Sequence, residues 1–272
     1  MSGNSKATYT SGHHESVVRS HNWRTAANSA GYLLSILNPD MKILDVGCGP
    51  GTITADFAAL VPDGYVIGMD AESKVLEQAQ ANASSRGLKN IHFETGGVHA
   101  LPYPDDSFDV VHAHQVLQHC GEPVKAIVEM RRILKPDGIL ATREVDMSVN
   151  QWYPEYHAFE EWLNIYMRVA RANGGDPMAG RKIHAWAHEA GFERSRIAKS
   201  ASTWSFSTHE ERMFWGAMWA DRLIQSAFLQ QAVDGGHATA GDLHRLSEAW
   251  REWCAEPDGR FVVVHGEILC RK

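Results

Sequence analysis

The run Met41-Lys-Ile-Leu-Asp-Val-Gly-Cys-Gly-Pro-Gly-Thr52 changes character twice within a few residues. Met41, Ile43, Leu44 and Val46 form a short apolar segment suited to a buried strand. Gly47, Gly49 and Gly51 then call for a tight turn. Beyond it, Ile53, Phe57 and Leu60 recur at helical spacing, which lays one helix face on a sheet. Glycine suits a backbone that turns sharply and that a ligand approaches closely. The helix N-terminus that follows offers N–H groups and the positive end of its dipole, so an anionic group is expected there.

Moving outward, Val61-Pro-Asp-Gly64 reads as a turn and Tyr65–Asp70 as a second buried strand. Asp70, with Ala71 beside it, lies about twenty residues past the glycine turn, where a carboxylate can accept from both ribose hydroxyls of a nucleoside. It also suits the N-cap of a helix over 72–86. Strands are expected at Ile91–Thr95, Phe108–His114 and Ile139–Val145, with a helix over Glu122–Leu134 before a Lys135–Gly138 turn. Strands alternating with helices imply a parallel sheet covered on both faces. Upstream, Trp23–Leu37 reads as a helix with Ala26, Ala30, Leu33 and Leu37 on its packed stripe, ended by Asn38-Pro39-Asp40. Residues 1–20 read as a solvated arm, and the neighbours His13 and His14 point apart, a poor metal pair.

The chain has 272 residues, 44% hydrophobic and 22% charged, enough to bury a full core. A net charge of -7 argues against nucleic-acid binding, which needs clustered Lys and Arg. No run reaches the length of a membrane span, and Met1–Lys6 lacks the apolar core of a signal peptide. Cys48, Cys120, Cys254 and Cys270 form no close pair, as expected for reduced thiols. A cytoplasmic protein without membrane partners is expected. Its oligomeric state stays open.

Asp45-Val-Gly-Cys-Gly-Pro-Gly51 differs from the dinucleotide pattern G-x-G-x-x-G and resembles motif I of the class I S-adenosylmethionine (SAM) methyltransferases. Leu101-Pro-Tyr-Pro104, Ser107-Phe-Asp109 and Arg132-Ile-Leu-Lys-Pro-Asp-Gly138 are similar to the group that includes the ubiquinone and menaquinone C-methyltransferases. The resemblance spans about residues 40–145, with Ala190-Gly191-Phe192 in support. It implies an α/β Rossmann-like domain with a seven-stranded, mostly parallel sheet ordered 3-2-1-4-5-7-6, the last strand antiparallel. One domain over 1–272 is expected, with a helical cap over 1–38, a SAM-binding core over 39–147 and an acceptor-side half over 148–272.

The resemblance also assigns roles. Asp45, Gly47, Cys48 and Gly49 would hold the methionine end of SAM, and Asp70 and Ala71 the ribose. His114, Gln115 and Val116, just past the fourth strand, would contact the cofactor. The family's Gly-Asp-Ala after the third strand is here Gly96-Gly97-Val98, so the acidic adenine contact is missing. Backbone N–H groups of Gly97, Val98 and His99 remain for that edge. His112 and His114 share a strand face, yet no Asp, Glu or Cys stands at ligand spacing, and no metal is expected.

Eight of the nine tryptophans lie beyond residue 150. Helices are expected over Glu155–Ala172, Met178–Ala190, His209–Gln231 and Gly241–Ala255, a sixth strand before Phe206, and a last strand over Phe261–Leu269. The residues near 208–258 then form a helical insertion where the family has a short hairpin. Most of the tryptophans fit a core, with Trp152 and Trp215 as candidates for the wall of an apolar acceptor site.

Tyr9–Asn28 resembles the start of fungal and actinobacterial relatives acting on secondary metabolites, among them thiol methyltransferases that cap reduced epidithiodiketopiperazines of the gliotoxin type. That likeness would bring Tyr9 and Arg24 near the SAM carboxylate. No acid–base pair stands out, which suits a thiol, ionising near pH ~8.5 with little help. A phenol or alcohol would want a base, for which His114, His119 and Glu144 are the candidates. Oxygen, nitrogen or carbon methylation of another small molecule, such as a phenol or quinone ring, stays open. So does a non-catalytic SAM-binding regulator.

Overall fold

The computed structural model describes residue 21 and residues 23–272. Tyr9 and most of the arm lie outside the described residues.

Strand β1 (Lys42–Val46) is central, paired in parallel with β2 (Tyr65–Asp70) on one side and β4 (Phe108–His114) on the other. β3 (Ile91–Thr95) extends the β2 side and β5 (Leu134–Val145) the β4 side, both parallel. β1 and β4 are buried almost throughout, as expected of strands covered on both faces. Ile43 and Leu44 show the alternation. Ile43 packs with Leu33, Phe57, Val66 and Val110, while Leu44 packs on the other face with Val111, Ile127 and Ile133.

The sheet has eight strands, correcting the expected seven and the 3-2-1-4-5-7-6 order. The path runs β3-β2-β1-β4-β5-β8-β6, and β7 also pairs with β8. The unforeseen member is β6 (Gln151–Tyr153), too short to carry a readable period-2 signal. The long strand β8 (Arg260–Arg271) accommodates it. Residues 265–271 pair antiparallel with β5, residues 260–262 with β6, and the far edge with β7 (Ile197–Phe206).

The helix expected over Trp23–Leu37 is two single turns, α1 (Ala26–Ser29) and α2 (Gly31–Leu34). The break falls at Ala30, followed by glycine, the weakest non-proline helix former. Then come α3 (Thr52–Leu60), α4 (Ser73–Ser85), α5 (Pro123–Ile133), α6 (His157–Ala172) and α7 (Ile183–Glu189).

Between β7 and β8 lie three helices rather than two: α8 (His209–Gln225), α9 (Ala227–Asp234) and α10 (Ala240–Cys254). The expected run to Gln231 breaks at Ser226. Its backbone is extended, and its hydroxyl caps α9 by accepting from the Phe228 amide. Thr208 and Thr239 start α8 and α10 with capping boxes closed by Glu211 and Asp242. These helices and α6 form a second, aromatic core against β6–β8, in which Trp162, Trp250, Trp253, Phe159 and Phe261 are fully buried. Trp152 packs on that core, stacked 6.0 Å from Phe261.

Candidate active site

The carboxyl ends of β1, β2, β3 and β4 open onto one cavity of about 680 Å3, the position where open α/β sheets bind ligands. Its lining brings together Arg24, Asp45, Gly47, Cys48, Gly49, Asp70, Ala71, Gly97, Val98, His99, His114, Gln115, Val116 and His119.

At the glycine turn, the amides of Gly47 and Cys48 both donate to the Met69 carbonyl, at 2.7 and 3.0 Å. Gly49 N–H donates to Asp70 Oδ2 at 2.9 Å and Gly51 N–H to the Cys48 carbonyl at 3.1 Å. Pro50 has no N–H. The N–H groups of Gly47, Cys48, Gly49 and Gly51 are therefore used within the protein. Arg24 brings a guanidinium to the cavity wall, which suits an anionic ligand end.

The glycines serve different purposes. A Cβ on Gly47 would run into Val116 Cγ2, and one on Gly51 would lie 2.8 Å from Ala79 Cβ. Gly49 has φ +54° and faces the cavity, with only His21 near among the described residues, at 3.8 Å. Gly47 and Gly51 thus permit close packing, and Gly49 permits a ligand.

Asp70 is held by Gly49 N–H and by Glu72 N–H, the latter at 3.0 Å on Oδ1. Each carboxylate oxygen retains acceptor capacity toward the cavity. Asp45 is spoken for: Oδ1 lies 2.7 Å from His112 Nδ1, and Oδ2 accepts from Thr54 Oγ1 at 2.6 Å. It shapes the cavity floor. At the other end, His99 Nε2 lies 3.2 Å from the Glu122 carbonyl.

Glu144 does not reach the cavity, which corrects its candidacy as a base. It is fully buried, and its carboxylate accepts from the amides of Val116 (2.9 Å), Leu117 (2.8 Å) and Gln118 (3.2 Å). Burial pushes its carboxyl up to about 7 against the pull of those three amides. Its work is to fix the loop after β4, where Gln115 sits at φ +54°.

His114 and His119 do line the cavity. His114 is buried, both ring nitrogens lack hydrogen-bond partners among the described residues, and burial with Arg24 and Arg143 nearby lowers its pKa well below the usual histidine value. Burial, Arg24 and Arg222 lower His119 to about 3. Both imidazoles are neutral at pH 7, and both are weak bases.

Arg24, Gln115 and His119 also border a second, smaller chamber of about 50 Å3. Its further walls include Met147, Tyr166, Trp204, Trp215, Trp219 and Arg222. Trp215 borders this chamber, whereas Trp152 does not. Trp219 and Arg222 were missed, although Trp215, Met218, Trp219 and Arg222 recur at i, i+3, i+4 and i+7 on α8. A charged residue on such a stripe was the available signal.

Residues 37–197 match the family described as a methyltransferase domain. The chain belongs to this family. It is 34% identical over 271 residues to an uncharacterized methyltransferase of Schizosaccharomyces pombe, covering 97% of this chain and 96% of the relative. It is 31% identical over 283 residues to the probable methyltransferase ltbC of Aspergillus luteorubrus, covering 97% of each. The YcgJ protein of Bacillus subtilis has a similar fold, with TM-score 0.56 and 22% identity over 89% of this chain and 97% of that one. The protein is a SAM-dependent methyltransferase acting on a small molecule. SAM supplies an activated sulfonium methyl, taken in line by the acceptor while the bonding pair stays on the SAM sulfur. The open glycine turn at Gly49 and the Asp70 carboxylate suit its nucleoside and amino-acid ends. No helix among the described residues is long and apolar enough to cross a membrane.

Proposed function

We propose that the acceptor atom is a thiol sulfur, and that the substrate is a reduced dithiol of a small secondary metabolite of the epidithiodiketopiperazine class. The observation that carries this reading is the electrostatics of the inner chamber. Among the described residues its lining contains two arginines, Arg24 and Arg222, and no carboxylate. Arg143 lies behind Trp204, 4.8 Å from the ring, with its charge balanced by Glu267 at 3.2 Å. The neighbouring imidazoles are weak bases held neutral.

Such a site does little to abstract a proton and much to stabilise an anion. An adjacent cation lowers an acid's pKa by about 1–3 units, which carries a thiol of pKa ~8.5 to ionisation near pH 7. An aliphatic alcohol gains no usable ionisation from the same shift. The thiol proton leaves to water, and the aromatic walls exclude water from the aligned thiolate. In this reading Arg24, Asp70 and the turn at Gly47–Gly49 hold the cofactor, and the loop of Gln115 and Val116 aligns it.

The test is mass spectrometry after incubation with SAM and a panel pairing reduced dithiols with phenols, amines and quinols. Methylation on sulfur is expected. Methylation confined to oxygen, nitrogen or carbon overturns the thiol reading, and SAM binding without transfer to any acceptor favours a regulator.

A further inference from the structure

We infer that Arg143 and His265 are positioning residues: they turn the Gln115 amide so that its nitrogen faces the cavity and, beside Arg24, receives the carboxylate of SAM. This rests on the reading of that part of the cavity as the seat of the cofactor's amino-acid end. It adds how the fold aims Gln115, and what Gln115 then holds.

The contacts run inward from the cavity wall. Gln115 Oε1 lies 2.8 Å from Arg24 Nη2, and its Nε2 lies 3.0 Å from His265 Nε2. Across the ring, His265 Nδ1 lies 2.9 Å from Arg143 Nη2. Arg143 is fixed on its other side. Its Nε donates to Ser202 Oγ at 2.9 Å and to Glu267 Oε1 at 3.2 Å, and the guanidinium lies over Trp204 at 4.8 Å. Its backbone carbonyl accepts from the Gln115 N–H at 2.8 Å, a second tie between the two residues.

A guanidinium donates and never accepts, so both ends of this row are donors. Arg143 needs the lone pair of His265 Nδ1. The ring is fully buried, and burial with Arg143 and Arg24 nearby lowers its pKa well below the usual histidine value, so it is neutral. A neutral imidazole with a lone pair on Nδ1 carries its proton on Nε2. That proton points at Gln115 and needs the amide oxygen, which Arg24 claims from the other side. One oxygen cannot face both ways. With the oxygen on Arg24, two N–H groups oppose each other at the buried His265 ring, where no ligand can enter. A half-turn of the amide moves the opposition to the cavity end, between Gln115 Nε2 and Arg24. A ligand can relieve it there, since both residues line the cavity. Leaving buried donors opposed costs their full desolvation, so the buried end decides the turn. An ionised carboxylate only accepts, and it accepts from amide and guanidinium together.

The experiment uses the full chain with 15N in its histidine rings and two ligands. One is S-adenosylhomocysteine. The other, 5′-deoxy-5′-methylthioadenosine, keeps the nucleoside and the sulfur but has no carboxylate. In the S-adenosylhomocysteine complex, His265, assigned by the resonances lost in His265→Phe, is expected to carry its proton on Nε2 and none on Nδ1. In calorimetric titrations His265→Phe should weaken S-adenosylhomocysteine roughly 5- to 10-fold and leave the methylthio nucleoside unchanged. His265→Gln, which keeps an N–H near the Nε2 position, should recover most of that loss. A role in packing alone would move both ligands alike. A proton on Nδ1, donated to the neighbouring Val263 or Ser202 carbonyl, overturns the inference. So does equal weakening of both ligands, or unchanged affinity for S-adenosylhomocysteine. Should His265→Phe fail to fold, His265→Gln supplies the assignment and the wild-type tautomer decides. Failure of the cofactor reading is separately visible: the wild type then binds S-adenosylhomocysteine no more tightly than the methylthio nucleoside, and the inference falls with it whichever tautomer His265 holds.

Discussion

Asp45 and His112 form a buried pair, with Oδ1 and Nδ1 2.7 Å apart across the β1–β4 ladder, where the two residues are direct partners. Thr54 Oγ1 donates to the other oxygen at 2.6 Å, which ties α3 to the same carboxylate. Asp45→Ala leaves two buried polar groups without partners and should destabilise the fold by about 3–5 kcal/mol. Asp45→Asn retains an acceptor and should cost much less, about 1–2 kcal/mol. Urea unfolding midpoints of the two variants check the difference. Equal loss would mean that the charge, and not the bonds, holds the pair.

Gly47 and Gly49 separate packing from ligand access. Both have positive φ, which costs a side-chain-bearing residue roughly 1–2 kcal/mol. Gly47→Ala adds a clash with Val116 and should cost about 1–3 kcal/mol more. Adding Val116→Ala should recover that second part only. Gly49→Ala meets open space, so its stability loss should stay near the φ cost while SAM affinity falls. Thermal unfolding and calorimetric titration with SAM measure the two effects separately.

The cavity at the strand ends was legible in the sequence because each of these residues sits at a strand end whose position the apolar pattern marks. Gly47, Gly49, Asp70 and Gln115 meet in one cavity for that reason. Glu144 looked available as a base because nothing local reveals that three amides of the β4 loop converge on it. The inner chamber was the least legible part. Trp215 and Trp219 serve both core and chamber, and Trp204 meets Arg143, His114 and His265 only through the pairing of β7 with β8.

Asp70 is the sharpest test of the cofactor assignment. Asp70→Asn keeps an oxygen for the Gly49 and Glu72 amides but loses the charge that strengthens acceptance from two hydroxyls. SAM affinity should fall by about 1–3 kcal/mol in a folded protein. Calorimetry showing unchanged affinity would sink the ribose role.

The buried titratable groups predict how stability changes with pH. His114, His119 and His265 are all lowered by burial and by nearby arginines, His119 to about 3. The folded state then binds fewer protons than the unfolded state below pH ~6.5, so stability falls as the solution is acidified. Each ring contributes a slope of roughly 1 kcal/mol per pH unit. Glu144 acts in the opposite sense. Its folded pKa of about 7 lies above the unfolded value, so its contribution grows as pH falls from about 7 toward 4.5. Three slopes against one leave a net loss of roughly 2–3 kcal/mol per unit between pH 6.5 and 4.5. Urea unfolding at pH 6.5 and 5.5 should show that loss, and His119→Gln should reduce it by about 1 kcal/mol. An unchanged slope in the variant would mean that His119 is protonated in the folded protein. That would place an acid at the inner chamber and remove the argument for a site that works without proton transfer.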